Sequence, residues 1–151
     1  MKNMINKLKH NTRMIINGEE SIVKTKTWYS VEEDPSVSYV KCELSNNKVL
    51  VIIPEDDLIY IGNIIENMNY DRIAKDKIMY NNRLFVKTGE GHQFITKIEF
   101  GKEKEIEGKC IFEDFESENK IISLGILPEK DNINADVYAD IIKLSDIKII
   151  D

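Results

Sequence analysis

Two histidines are the first residues in this sequence whose side chains suit chemistry near neutral pH. Histidine acts as a general acid or base and is a frequent metal ligand. His10 lies near the N-terminus and His92 follows a Gly-Glu-Gly stretch, and neither belongs to a His-x-x-x-His or Glu-x-x-His pair. We therefore predict that both are surface residues, and we predict no catalytic residue, no metal site and no cofactor.

The sequence has no recognisable nucleophile or phosphate-binding loop. Ser123 lies in Ile-Ser-Leu-Gly, without the flanking glycines of a nucleophile elbow. The stretch 89–92 has two glycines but lacks the third glycine, the Lys-Ser pair and the helix that phosphate loops require. We expect Ser123 to be a buried strand residue and 89–91 to be a turn.

Neighbouring carboxylates are the remaining candidates for chemistry. Asp56-Asp57, and Asp114 with Glu116, would suit a calcium site or a hydrolase dyad. Their spacings match no known loop signature, and the interpretation we prefer is solvated turns. A hydrolase is thus the third of our functional hypotheses, and it requires a carboxyl group with a strongly raised pKa in a cleft. The sequence as a whole predicts a protein that is not an enzyme.

Composition and charge narrow the class of protein. The chain has 151 residues, 42% of them hydrophobic, so it can bury a core without disulfides or metals. A net charge of −6 disfavours binding to nucleic acid. Cys42 and Cys110 lie in apolar alternating segments and are expected to be buried in a reducing compartment. With no secretory signal and no apolar stretch of about 20 residues, the sequence predicts a cytoplasmic protein.

The elements that would position these side chains are mostly strands. Apolar and polar residues alternate in short runs separated by turn residues, which predicts a mainly β fold built of two small units, either sandwiches or partly open barrels. Residues 1–12 are predicted to form an N-terminal helix or tail, 13–62 a first β unit, 63–77 a short helix or linker, and 78–151 a second β unit. Turns are predicted at 17–18, 46–47, 81–82 and 89–91.

The two predicted units contain a short internal echo. Residues 16–18 and then Val-Lys-Thr at 23–25 have a counterpart in residues 80–82 and then Val-Lys-Thr at 86–88. The order of the later segments is also similar in the two halves. Both a duplication and a chance match stay open at this point.

Several segments carry a resemblance to a known family. They are a turn, an aromatic pair, a strand centred on Tyr39, an apolar strand and a second-half opening: Asn17-Gly18, Trp28-Tyr29, 38–44, 49–53 and 80–85. In these segments the chain resembles a family of uncharacterised bacterial proteins known as domain of unknown function 4178. The resemblance implies a β fold, no known activity and, by family analogy alone, association with a membrane partner.

Aromatic residues supply the candidate binding surface. Trp28, Tyr29 and Tyr39 lie on neighbouring predicted strands, and the two tyrosines are predicted to be exposed as a binding patch. Our leading hypothesis is therefore a non-catalytic β module that binds a protein partner or assembles with itself. The alternative is a binder of a small molecule or lipid in a cavity between the two β units.

Overall fold

The chain forms one α-helix and thirteen β-strands in the part that a computed structural model describes, which covers residues 1–101, 110–126 and 136–150. The prediction of a mainly β fold is confirmed. The helix is α1 (Lys2–Lys7), and the strands are β1 (Arg13–Ile16), β2 (Glu19–Ile22), β3 (Lys26–Val31), β4 (Asp34–Glu43), β5 (Val49–Ile53), β6 (Leu58–Ile65), β7 (Asp71–Ala74), β8 (Lys77–Tyr80), β9 (Arg83–Phe100), β10 (Cys110–Ser117), β11 (Lys120–Ile126), β12 (Asp136–Ile142) and β13 (Ile147–Ile150).

Eight of these strands close into an antiparallel barrel. Their order around the barrel is β3-β4-β5-β6-β12-β11-β10-β9, and β9 pairs back onto β3. The long strand β9 makes this closure possible, because it pairs in turn with β8, β10 and β3 along its length. Closure pairs each described barrel strand with a neighbour on either side.

The two predicted β units share this single barrel instead of forming two separate sheets. Residues 13–62 supply β3 to β5 and most of β6, residues 78–151 supply β9 to β12, and the pairings β3–β9 and β6–β12 join them. The two halves pair in the same order, β3-β4-β5-β6 in the first and β9-β10-β11-β12 in the second. The first strands of the two halves, β3 and β9, pair with each other, and so do the last strands, β6 and β12. Duplication stays a prediction, and this pairing symmetry favours it.

Residues 63–77 are predicted to form a short helix or a linker, and the prediction of a helix is wrong. Strand β6 continues to Ile65, and after a turn β7 begins at Asp71 and pairs with β8. The β-branched pair Ile64-Ile65 favours an extended backbone, and pairing of β6 with β12 satisfies its backbone hydrogen bonds.

The predicted turn at 89–91 is also wrong, because β9 runs through these residues without a break. Gly89 pairs with Asp114, and Gly91 pairs with Phe112. Glycine inside a strand often marks a close approach of another group. A Cβ atom at residue 91 would lie 2.9 Å from a carboxylate oxygen of Glu33, so the glycine makes room for that side chain.

The other asparagine turns are where the sequence predicts them. Asn17 and Gly18 have φ of 50° and 82°, and Asn81 and Asn82 have φ of 50° and 60°. These left-handed conformations suit the tight hairpins β1–β2 and β8–β9, and asparagine and glycine tolerate them best. Asn47, between β4 and β5, has φ of 65°.

Two outer layers cover the barrel wall. The small sheet β13-β1-β2 and α1 pack on one side, where Ile5 and Leu8 are buried, so the predicted N-terminal helix is present and docked. The hairpin β7–β8 covers the other side, over Phe85 and Phe115. No helix in the described ranges is long and apolar enough to cross a membrane.

Candidate functional site

Three tyrosines project into the barrel. Tyr29 and Tyr39 are directly opposite each other in β3 and β4, and their rings stack 5.1 Å apart at an interplanar angle of 9°. Tyr60 on β6 belongs to the same interior cluster. Tyr29 is 4% exposed and Tyr39 is 8% exposed. The prediction that these two rings form an exposed patch is therefore wrong, and they are interior residues.

Trp28 lies on the opposite face of β3. Its ring is partly buried against the outer core beneath α1, and its Nε1 donates a hydrogen bond to Glu99 Oε1 at 3.1 Å. Neighbouring residues of a strand point to opposite faces of the sheet. The structure thus separates Trp28 from Tyr29 and Tyr39, and the three predicted site residues do not form one surface.

A chain of polar groups accompanies the tyrosines inside the barrel. Ser123 Oγ on β11 donates a hydrogen bond to Asp114 Oδ1 on β10 at 2.6 Å. The Tyr39 hydroxyl donates a hydrogen bond to Gln93 Oε1 on β9, and Tyr60 lines the same small cavity as Ser123. The first half of the chain thus supplies the tyrosines, and the second half supplies the polar groups Gln93 and Ser123 beside them.

Asp114 is the acidic member of this network. Burial raises the pKa of its carboxyl group from 3.8 to about 6, and the negative charges of Glu116 and Asp56 add to the rise. The hydrogen bond from Ser123 opposes the rise, because it stabilises the charged form. Burial also raises the pKa of the Tyr39 and Tyr60 hydroxyls, so both stay neutral. Asp114 thus has the raised pKa that the hydrolase hypothesis requires.

The described part of the barrel interior contains a small cavity beside the tyrosines. A cavity of about 40 Å³ lies between Tyr39, Tyr60, Gln93 and Ser123. Such a cavity has room for about one water molecule. A ligand much larger than water does not fit this cavity.

A larger pocket of about 410 Å³ lies at one end of the barrel. We call it the acidic mouth. Apolar side chains and the backbone of β9 form part of its lining, and five carboxylates from segments distant in sequence complete it. The apolar residues are Val31, Val37, Leu58 and Phe112, and the acidic residues are Asp34, Asp56, Glu90, Asp114 and Glu116.

The topology explains why acidic segments far apart in sequence meet here. Four parts of the chain meet at this end of the barrel. They are the β3–β4 turn, the β5–β6 connection, and the central residues of β9 and of β10, which extend past the end of β3. Asp114 is half-buried and belongs both to the interior network and to the lining of the mouth. One of the carboxylates that line the acidic mouth is therefore partly shielded from water by the barrel wall.

Most of this negative charge has no cationic partner among the residues that the structure describes. Among the described residues, Asp34, Asp56 and Glu116 form no ion pair, and Lys87 pairs with Glu90 at 3.0 Å. The five carboxylates are also too dispersed for one metal ion. Within the part of the chain described, Glu32, Glu33 and His92 alone form a group of three ligand atoms within 4.8 Å of one another. The mouth suits an extended cation better than a single ion.

The two histidines lie on the surface, as predicted. His10 is exposed, and its ring centroid lies 5.6 Å from that of Phe100. The His92 side chain is 46% exposed, and its Nδ1 lies 3.0 Å from Glu33 Oε1. Ser123 is a half-buried residue of β11, consistent with the expected strand position.

Asp114 is a functional candidate that the sequence offers, with Glu116, for a calcium site or hydrolase dyad, although the preferred interpretation is a solvated turn. The prediction of a solvated turn is wrong for Asp114, which lies in the middle of β10. A usable signal was present: in Phe112-Glu113-Asp114-Phe115-Glu116, strand alternation puts Asp114 on the same face as Phe112. An acidic residue on the inward face of a strand is unusual enough to indicate a site.

Comparison with models of known families, with curated proteins and with solved structures finds no match to this chain. The resemblance to domain of unknown function 4178 therefore stays a prediction. What the fold itself defines is an eight-stranded antiparallel barrel with an acidic opening.

Proposed function

We propose that this protein is a non-catalytic binding protein whose acidic mouth takes an organic cation, an ammonium or guanidinium group on a short apolar stem. The main support for the proposal is that the Asp114 carboxylate lines the pocket, is partly shielded from water and accepts a hydrogen bond from Ser123. The raised pKa of Asp114 indicates that protein groups do not fully offset the cost of shielding its negative charge from water. A bound cation would offset that cost.

The ligand chemistry follows from the two kinds of lining. Val37, Leu58 and Phe112 offer apolar surface to a stem, while Asp56 and Glu116 add negative charge beside Asp114. Opposite charges about 4 Å apart attract by about 4 kcal/mol at the dielectric typical of sites near a protein surface. An amine is therefore favoured over its neutral analogue of the same shape.

Isothermal titration calorimetry tests this proposal with n-butylammonium and 1,5-diaminopentane as probes at pH 7.5. We expect both amines to bind more tightly than 1-butanol, and Asp114→Asn to weaken amine binding at least tenfold. Glu66→Gln is the matched control, because it removes one charge from an exposed turn beyond the far end of β6. Equal binding of butanol and butylammonium, or unchanged binding by Asp114→Asn, would overturn the proposal.

The second candidate function is binding to a protein partner or self-assembly, with the outer face of β8 and β9 as the contact surface. Leu84 and Val86 are 43% and 41% exposed, and Ile73 on the edge strand β7 is 58% exposed. Exposed apolar side chains that cluster on one sheet are typical of interaction sites. This surface differs from the predicted patch of Trp28, Tyr29 and Tyr39.

Native mass spectrometry of the protein purified from its own host tests the second candidate. We expect a dimer or a complex that the double variant Leu84→Gln, Val86→Thr loses. Leu144→Asn, at a residue 39% exposed in a different connection, is the control and should keep the complex. A monomer at every concentration, with no partner, would rule this candidate out. We also propose a cytoplasmic location, which the burial of Cys42 and Cys110 supports.

A further inference from the structure

Three ligand atoms of Glu32, Glu33 and His92 lie within 4.8 Å of one another beside the β3–β4 turn. His92 Nδ1 is 3.0 Å from Glu33 Oε1 and 4.0 Å from Glu32 Oε2. We propose that these residues form a binding site for a divalent first-row transition metal, best matched by Zn²⁺. None of the three lines the acidic mouth, so the proposal does not depend on the proposed function.

The backbone already holds the three residues in place. The Glu32 N–H donates to the carbonyl oxygen of His92 at 2.8 Å, which fixes the turn against β9. The His92 N–H donates to the Glu33 carboxylate, with Oε2 at 3.0 Å. Gly91 allows this approach, since any Cβ there would come within 2.9 Å of Glu33 Oε1. Metal binding would therefore require side-chain adjustment more than backbone movement.

The spacing fits tetrahedral zinc. Zinc bonds to histidine nitrogen and carboxylate oxygen are about 2.0 to 2.2 Å long, which separates tetrahedral ligand atoms by roughly 3.4 Å. The observed separations of 3.0 and 4.0 Å lie on either side of that value. The Glu32 and Glu33 carboxylate oxygens lie within 4.8 Å of each other, so rotamer changes in these exposed side chains would bring all three ligand atoms to bonding distance.

Charge and ligand type select the metal. In the metal-bound form, Zn²⁺ replaces a proton at His92 Nδ1, the ring keeps its proton at Nε2, and that Nδ1 proton leaves to solvent if it is present. Two carboxylates then balance the two positive charges of the metal, and a fourth position stays open to water. An imidazole nitrogen favours Zn²⁺, Cu²⁺ or Ni²⁺ over Mg²⁺ and Ca²⁺, which prefer oxygen ligands alone.

The chain offers a clean test because it contains two histidines. The chelator-treated protein is titrated with Zn²⁺ in competition with a chromophoric chelator, and Co²⁺ is used to record visible absorption bands. We expect one equivalent of Zn²⁺ and tetrahedral Co²⁺ bands in the wild type. His92→Gln and Glu33→Gln should weaken Zn²⁺ binding at least tenfold, and circular dichroism checks that both variants fold.

His10→Gln is the matched control, because the His10 ring contacts Phe100 and is remote from the proposed metal site. It should bind Zn²⁺ like the wild type, and a large excess of Mg²⁺ should not compete. No stoichiometric Zn²⁺ binding, or full binding by a folded His92→Gln variant, would overturn the proposal. Loss of Zn²⁺ binding in His92→Gln with unchanged amine binding would separate this site from the acidic mouth.

Discussion

Ser123 and Asp114 are directly opposite each other in β11 and β10, and the serine hydroxyl donates to the aspartate carboxylate at 2.6 Å. One neutral donor is poor compensation for a shielded negative charge, which is why the pKa of Asp114 rises to about 6. We therefore expect the charged form of Asp114 to destabilise the fold at neutral pH. Such a destabilisation agrees with the proposed role of Asp114 in binding.

The first prediction concerns the stability of Asp114→Asn. The folded-state pKa of about 6 is above the ordinary 3.8, so the stabilising contribution of Asp114 is complete below pH 3.8 and is lost as the pH rises through 6. Asparagine keeps an oxygen for Ser123 and carries no charge. We expect the variant to be more stable than the wild type by about 2 to 3 kcal/mol at pH 7.5 and nearly equal at pH 4.

Urea unfolding at the two pH values measures this difference. Glu66→Gln, which removes an exposed charge, should show no comparable change between pH 4 and pH 7.5. A variant Asp114→Asn that is less stable than the wild type at pH 7.5 would show that the carboxylate strengthens the fold.

The second prediction concerns Lys26, which is 1% exposed. Its ammonium group donates to the carbonyl oxygens of Ile5 and Leu8 at 2.7 and 3.1 Å and pairs with Glu99 at 3.1 Å. It thereby ties α1 to the barrel. We expect Lys26→Met to lower the free energy of unfolding by about 2 to 4 kcal/mol, because these charged hydrogen bonds are lost together.

Hydrogen exchange and urea unfolding test the role of Lys26. Amides of α1 should exchange faster in Lys26→Met. Lys24→Met is the control, because Lys24 is exposed and its ammonium group lies 3.4 Å from Asn11 Oδ1, so its loss should change stability by less than about 0.5 kcal/mol. Equal stability of the two variants would mean that α1 docks without Lys26.

Local patterns in the sequence account for much of the fold but not for its closure. Alternation identified the strands around Tyr39, and asparagine pairs identified the hairpins, because both signals act between near neighbours. The pairings β3–β9 and β6–β12 join residues far apart in sequence, and no local pattern specifies them. Both faces of β3 are covered, so alternation alone did not show that Tyr29 points inward and Trp28 outward.

Local sequence patterns also do not predict the candidate site, because its residues are far apart in the sequence. Asp34, Asp56 and Asp114 belong to three separate acidic segments, each of which looks like an ordinary solvated turn. The barrel brings them to one pocket. Only the strand position of Asp114 distinguished it in the sequence.

The third prediction concerns the contact between β6 and β12. Gly62 is directly opposite Ala139, and a Cβ atom at residue 62 would lie 2.1 Å from the carbonyl oxygen of Tyr138 and 2.4 Å from the Cα of Ala139. These are backbone atoms of a paired strand and have little room to move. We expect Gly62→Ala to destabilise the barrel by at least about 3 kcal/mol or to prevent folding.

Gly89→Ala is the control for this prediction, because the nearest atom to its Cβ is Asp114 Oδ2 at 4.0 Å. Thermal unfolding should show that this variant is as stable as the wild type or slightly more stable, since alanine restricts the unfolded chain. A Gly62→Ala variant with wild-type stability would contradict the close approach of β6 and β12.

The most direct test of the central claim is the number of protons released when an amine binds. Calorimetric titration of the wild type with n-butylammonium at pH 6, in buffers of different ionisation enthalpy, should show release of about half a proton per amine, because Asp114 is half protonated there. At pH 8 the release should approach zero, and Asp114→Asn should release none at either pH. Amine binding with no proton release at pH 6, or with the same release in Asp114→Asn, would contradict the claim that Asp114 is the anion that receives the ligand.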